Sequence, residues 1–157
     1  MKHLLLMLAL MAPQMVMARL GETMEQCDKR YGDVVSQQEI QGLDTKAYKN
    51  GAYFMMASFV DGKCCFLVIQ TSDAGSLTMD IARAIVKNNI PSAAFLGTND
   101  AGTAWVAKDV GVGMLQRMPS QSGKLGYRLT LFNDVYVKAK AGETGDSTQK
   151  RVDALGF

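Results

Sequence analysis

The chain has 157 residues, of which 48% are hydrophobic, 20% charged and 8% aromatic, with a formal net charge of +2, one histidine and three cysteines. That size and balance fit one small globular domain, and the dense Lys/Arg field that a phosphate backbone requires is missing, so nucleic acid is not an expected partner. The one histidine is His3, inside a segment that reads as an export signal; a chain cleaved behind it has none, which excludes Ser-His-Asp, Cys-His and His-metal chemistry.

The first element is that signal, residues 1–18. Lys2 and His3 precede the apolar run Leu4 to Ala12, and Val16-Met17-Ala18 suits cleavage after Ala18. A spanning helix needs roughly 20 continuous apolar residues. Pro13, Gln14 and Arg19 interrupt the run too early, so no stable membrane anchor is expected once the signal is removed. The expected destination is the periplasm or the exterior. Residues 19–140 are then expected to form a single α+β domain, and 141–157 a flexible tail.

Thr23 followed by Gln26 is a capping-box pair, and Gly32 suits a left-handed stop, which predicts a two-turn helix. Leu20, Met24, Cys27 and Tyr31 share its apolar face. Val34, Val35 and Ile40 suit a short strand in the polar stretch that ends at the Lys49-Asn50-Gly51 turn. Tyr53–Val60 and Lys63–Thr71, joined by Asp61-Gly62, predict a two-residue hairpin. Its register sets Phe59 opposite Cys64, Ala57 opposite Phe66 and Met55 opposite Val68. Phe54, Met56, Val60, Cys65, Leu67 and Ile69 fall on the other face. Both faces are apolar, so the hairpin either lies centrally in a covered sheet or offers one face to another molecule.

Leu77 to Ile90 has helical periodicity, with Thr78 as its cap and Asn88-Asn89 before Pro91 as its end. Pro91–Gly102 reads as a loop, Thr103–Asp109 as a strand around Trp105, and Met118–Gly126 as a polar connection. Tyr127–Lys140 reads as a final strand with a turn at Asn133-Asp134. No internal repeat is visible. The predicted architecture is α+β, two helices packed on an antiparallel sheet of about four strands.

Ala18 to Thr23 with Cys27 and Arg30-Tyr31-Gly32, then Asp61-Gly62-Lys63-Cys64, then Leu77 to Asn89 followed by Trp105, resembles a group of small exported bacterial proteins. Their pattern is similar to the repeat of β-lactamase inhibitor protein and to the small lipoprotein of the outer-membrane barrel-assembly machinery. The resemblance covers roughly Ala18 to Trp105. It implies a module in which helices pack on one face of an antiparallel sheet, used for protein binding rather than chemistry. The chain lacks the lipoprotein's lipidation cysteine, and no contact motif of either family is matched, so no binding residue is transferred.

Export implies an oxidising compartment, and Cys27 lies on the helix face expected to pack on the hairpin. Strand neighbours face opposite ways, so only one of Cys64 and Cys65 can reach it. Cys64 shares a face with Phe59, Phe66 and Val68, and its Gly-Lys-Cys setting resembles the exported group, so a disulfide between Cys27 and Cys64 is expected. Cys27 to Cys65 is the alternative pairing. Such a bond contributes on the order of 3 to 4 kcal/mol in the chain-entropy account. Cys65 is then a free thiol, buried and inert or available for an intermolecular bond.

Gly111-Val112-Gly113-Met114-Leu115-Gln116 lacks the third glycine of a dinucleotide loop and reads as a connector. Ser122-Gly123-Lys124 lacks the upstream glycine of a phosphate loop. Asn99 to Thr103 offers Asp100 as its only carboxylate, too few for calcium. No catalytic residue, cofactor or metal site is therefore expected. The reading is an exported non-enzymatic protein-binding or structural module that engages another protein or itself through an apolar sheet face. Phe54, Met56, Leu67, Ile69 and Trp105 are the candidate interface, Trp105 being also a natural core residue. The alternative is a histidine-free enzyme or small-ligand carrier using Ser, Asp or Lys on loops.

Overall fold

The strongest turn chemistry in the chain builds its sheet. Asp61 and Gly62 both take positive φ, 49° and 73°, as a two-residue hairpin turn requires, and they join β3 (Tyr53–Val60) to β4 (Lys63–Thr71). Gln41 and Gly42 repeat the device at φ 52° and 74°, joining β1 (Asp33–Ile40) to β2 (Leu43–Asn50). The computed structural model describes residues 19–71, 77–108, 110–119 and 125–144. Helix α1 (Met24–Tyr31) precedes the first four strands. Helix α2 (Met79–Asn89) precedes β5 (Ala94–Asn99), β6 (Gly102–Ala107), β7 (Gly111–Pro119) and β8 (Leu125–Asn133), and α3 (Asp134–Thr144) follows them. The expected signal (1–18), Ser122-Gly123-Lys124 and residues 145–157 of the expected tail lie outside the described residues.

These elements correct the expected four-stranded architecture. Among the described residues the strands form one eight-stranded antiparallel sheet in the order β1-β2-β3-β4-β8-β7-β6-β5, with three helices. The polar stretch 33–50 is a full hairpin rather than one short strand; β2 buries Leu43, Thr45, Ala47 and Tyr48, while every residue of the edge strand β1 is exposed except half-buried Ile40. The expected loop 91–102 contains the other edge strand, β5, in which only Gly97 is not exposed. The expected final strand ends at Asn133, whose Oδ1 accepts the Tyr136 amide at 3.2 Å. That is a helix cap rather than a hairpin turn, so residues 134–140 are helix, as are the first four of the expected tail.

Both caps foreseen for the first two helices are made. Thr23 accepts the Gln26 amide at 3.3 Å while Gln26 Oε1 accepts the Thr23 amide at 2.8 Å, and Thr78 accepts the Ile81 amide at 3.4 Å. Both helices lie on one face of the sheet. Cys27 and Tyr31 of α1 and Ala82, Ile85 and Val86 of α2 share a core with Met55, Leu67, Ile69, Trp105, Leu129 and Leu131. Each fully buried leucine there stabilises the fold by roughly 1.5–3 kcal/mol. The opposite face carries α3, seated on a second cluster of Val112, Phe132 and Val137 with Phe66, Val106 and Tyr136.

The sheet order is a palindrome of two meanders, and the register shows how deep that goes. At the centre Val68 pairs with Thr130, flanked by Leu67 with Leu131 and Ile69 with Leu129. Moving outward, Ile69, Met55, Tyr48 and Val34 are cross-strand neighbours on one side. Leu131, Gly113, Trp105 and Phe95 are the corresponding neighbours on the other. Both edge strands shift register at the same point, between Val34 and Ser36 and between Phe95 and Gly97. The chain is thus two α-β4 units related by a pseudo-two-fold axis through the Val68–Thr130 pair. The repeat is one of backbone and register, which explains its invisibility in the residues.

Candidate functional site: a buried thiol pair and an open sheet face

The segment before α1 is laced to the start of β4. The Gly21 amide donates to the Cys64 carbonyl at 2.7 Å, the Cys64 amide donates to the Glu22 carbonyl at 2.8 Å, and Thr23 bridges Lys63. Helix α1 then rises from Thr23 and places Cys27, one turn in, over Cys64. Phe59 does pair with Cys64, but Ser58 pairs with Phe66, so Cys65 is an extra residue bulged out of the ladder. Beyond the bulge every partner moves by one: Ala57 faces Leu67 and Met55 faces Ile69.

Cys27 and Cys64 are free thiols in one core cluster, and the Cys64 sulfur donates to the Phe66 carbonyl at 3.5 Å. Both are buried, at 0% and 1% exposure. The neighbouring Cys64 side chain holds Cys27 below the ordinary thiol value, against the opposing effect of burial, with help from Tyr31. The Cys27 side chain, and burial after it, pushes Cys64 up. Tyr31 packs edge-on against Tyr48 with ring centroids 5.3 Å apart, and its hydroxyl accepts the Arg19 amide at 2.7 Å. Burial raises both tyrosines above their usual value. Tyr48 donates to Asp28 at 3.0 Å, and Lys46 donates to both oxygens of that carboxylate, at 3.0 and 2.9 Å. Glu22 accepts Arg30 Nε at 2.8 and 2.9 Å and raises its pKa. Chemically, this is a polar frame that fixes a helix over a thiol pair closed to solvent.

Cys65 turns the other way. Its sulfur lies 3.4 Å from the Ser58 carbonyl, on the side where α3 brings Lys140, and burial pushes its thiol up to about 11. Lys140 itself is 4% exposed and donates to the Gln41 carbonyl.

The five expected interface residues separate. Leu67, Ile69 and Trp105 are 0%, 2% and 2% exposed, within the core under the helices. Phe54 is 44% exposed and Met56 half-buried, on the opposite face. On that face α3 covers one row of side chains: Tyr136 stacks on Phe66 at 4.7 Å and meets Phe132 at 5.7 Å. The pseudo-two-fold carries this aromatic row onto Gln116, Arg128, Gln70 and Phe54 on neighbouring strands. Arg128 Nε is buried with no hydrogen-bond partner among the described residues. The sequence reading did not single out Arg128 and Gln70. Their signal was the alternation in Tyr127-Arg128-Leu129-Thr130-Leu131, which places Arg128 away from the helices.

The remaining motifs resolve as structure. Asn99 Oδ1 accepts the Ala101 amide at 2.9 Å, a turn between β5 and β6. Gly111 to Gln116 is part of β7. Among the described residues no cluster of three or more His, Cys, Asp or Glu is placed to hold a metal ion, and no helix is long and apolar enough to cross a membrane.

No protein-family model matches the chain, and no curated protein matches it. Among solved structures, it is similar to the crystal structure of a cysteine-rich secretory protein from Staphylococcus aureus, at 10% identity and a TM-score of 0.40. That match covers 75% of this chain and 46% of the other, so the chain spans under half the length of the protein it resembles.

Proposed function

We propose that the protein is an exported, non-enzymatic binding module whose contact surface is the part of the sheet left open beside α3. The observation that carries this reading is that, among the described residues, the second face is only partly covered. One row of that face is sealed by Tyr136, while Phe54 stands 44% exposed beside half-buried Met56 and Val68. Gln70, Arg128 and Gln116 provide hydrogen-bonding groups in the same strip. A surface combining an aromatic anchor, apolar neighbours and an arginine has the composition of protein-contact patches. The resemblance of residues 18–105 to protein-binding modules points the same way.

A photo-crosslinking residue at position 54, compared with one at exposed Lys29 on the helix side, tests the reading in the native envelope or medium. A discrete adduct, to a partner or to a second copy, is expected from position 54 alone. Phe54→Asp should abolish partner capture or self-association while leaving the melting temperature within a few degrees, because the side chain is substantially exposed. No adduct from position 54, together with a monomeric protein at high concentration, overturns the proposal.

A further inference from the structure

We propose that Cys27 and Cys64 are substrates of thiol–disulfide exchange, forming a bond that fastens α1 to β4, and that α1 must lift before the exchange can occur. Three observations meet here. The two thiols are free and lie buried in one core cluster, at 0% and 1% exposure. The Cys64 backbone is held on both sides by the segment that leads into α1, so helix and strand approach in one fixed way. Finally, the pseudo-two-fold supplies an internal control. Counting from the capping threonines, Ala82 of α2 stands where Cys27 stands in α1, and across the strands Tyr127 pairs with Arg117 as Cys64 pairs with Phe59. Packing a helix on this sheet therefore does not require two sulfurs, and the first unit carries them for another reason.

The reaction needs an oxidant of one class, a disulfide donor such as an oxidised dithiol protein or a glutathione-type small disulfide. The Cys27 thiolate attacks one donor sulfur, the donor S–S bond breaks, and one donor thiolate leaves. Cys64 then gives up its proton to that thiolate or to water and attacks the Cys27 sulfur of the mixed disulfide, expelling the second donor thiolate. Two protein thiols are oxidised and one donor disulfide is reduced to two thiols. Cys27 takes the first step because its thiolate is the favoured one of the pair. Cys65 takes no part, since it lies on the α3 side of the sheet. Neither reacting thiol is exposed in the closed form, so the donor reaches Cys27 only while α1 is displaced.

The test uses the reduced full chain in a glutathione redox buffer, quenched with acid, alkylated under denaturing conditions and mapped by mass spectrometry. A single cross-linked peptide pair, Cys27 with Cys64, and an alkylated Cys65 are expected. The oxidised form should melt about 10 °C above the reduced form. Thr23→Ala removes the capping oxygen of α1 and should speed oxidation about fivefold by favouring the lifted helix, while Thr23→Ser should keep the original rate. Three alkylated cysteines at equilibrium, or a cross-link that includes Cys65, overturns the pairing. An oxidation rate unchanged in Thr23→Ala overturns the requirement for opening. Because the assay runs in a defined buffer, its failure is distinct from a failure of the export or binding readings.

Discussion

Single residues decide which face of the sheet does what. One extra residue, Cys65, bulges out of β4 and turns the rest of the strand over relative to a regular hairpin, sending Leu67 and Ile69 into the core. A period of two makes any such slip reverse every later side chain, which is why two candidate interface residues became core residues. Gly113 works in the opposite sense. It occupies the place that Met55 holds in the first unit, and a Cβ there would lie 2.6 Å from Val86 Cγ2 and 3.1 Å from Leu131 Cδ2. Gly113→Ala should therefore destabilise by about 1–3 kcal/mol through overpacking, read as a lower urea midpoint. Val86→Ala in the same chain should recover part of the loss. A neutral single variant would show that α2 does not press on β7 as described.

Among the elements, α1, α2 and the β3–β4 hairpin were legible because their signals are local: a capping hydroxyl three residues before its amide, and Asp-Gly between two apolar runs. The edges β1 and β5 were not, because an edge strand buries little and so carries no apolar alternation to read. Strand β7 was hidden by Gly111 and Gly113, which read as flexibility in sequence but are sites of close approach: at Gly111 a Cβ would meet the Phe132 carbonyl oxygen at 2.5 Å. Helix α3 breaks the pseudo-symmetry. It covers Phe66 and Phe132, whereas the pseudo-two-fold places half-buried Arg128 and Gln70 in the related row. Tyr136→Ala should accordingly cost about 2–4 kcal/mol, near the range for truncated aromatic residues, and raise the binding of a hydrophobic dye as Phe66 and Phe132 open. An unchanged midpoint would remove α3 from the account of which strip stays open.

At the scale of the whole molecule, the two α-β4 units share one core across the β4–β8 seam, where Leu67, Ile69, Leu129 and Leu131 are all at most 2% exposed. Neither unit can bury its last strand alone. They should therefore unfold together: the fluorescence of Trp105 in the second unit and the alkylation of Cys27 and Cys64 in the reduced first unit should follow one urea transition. Two separated transitions would mean that the seam is weaker than its packing indicates. The seam also places the hairpin that is apolar on both faces. It lies centrally, under α1 on one side and partly under α3 on the other, and only the uncovered remainder faces outward.

Neighbours a few residues apart in the sequence account for both helix caps, the Asp61-Gly62 turn and the apolar face with Cys27 and Tyr31. Tertiary structure alone decided the eight-strand count, the bulge at Cys65, the pairing of β4 with β8 and the side each cysteine faces. Those are set by contacts between residues far apart in the chain, where a glycine or a polar strand is fixed by what packs against it rather than by its own preference.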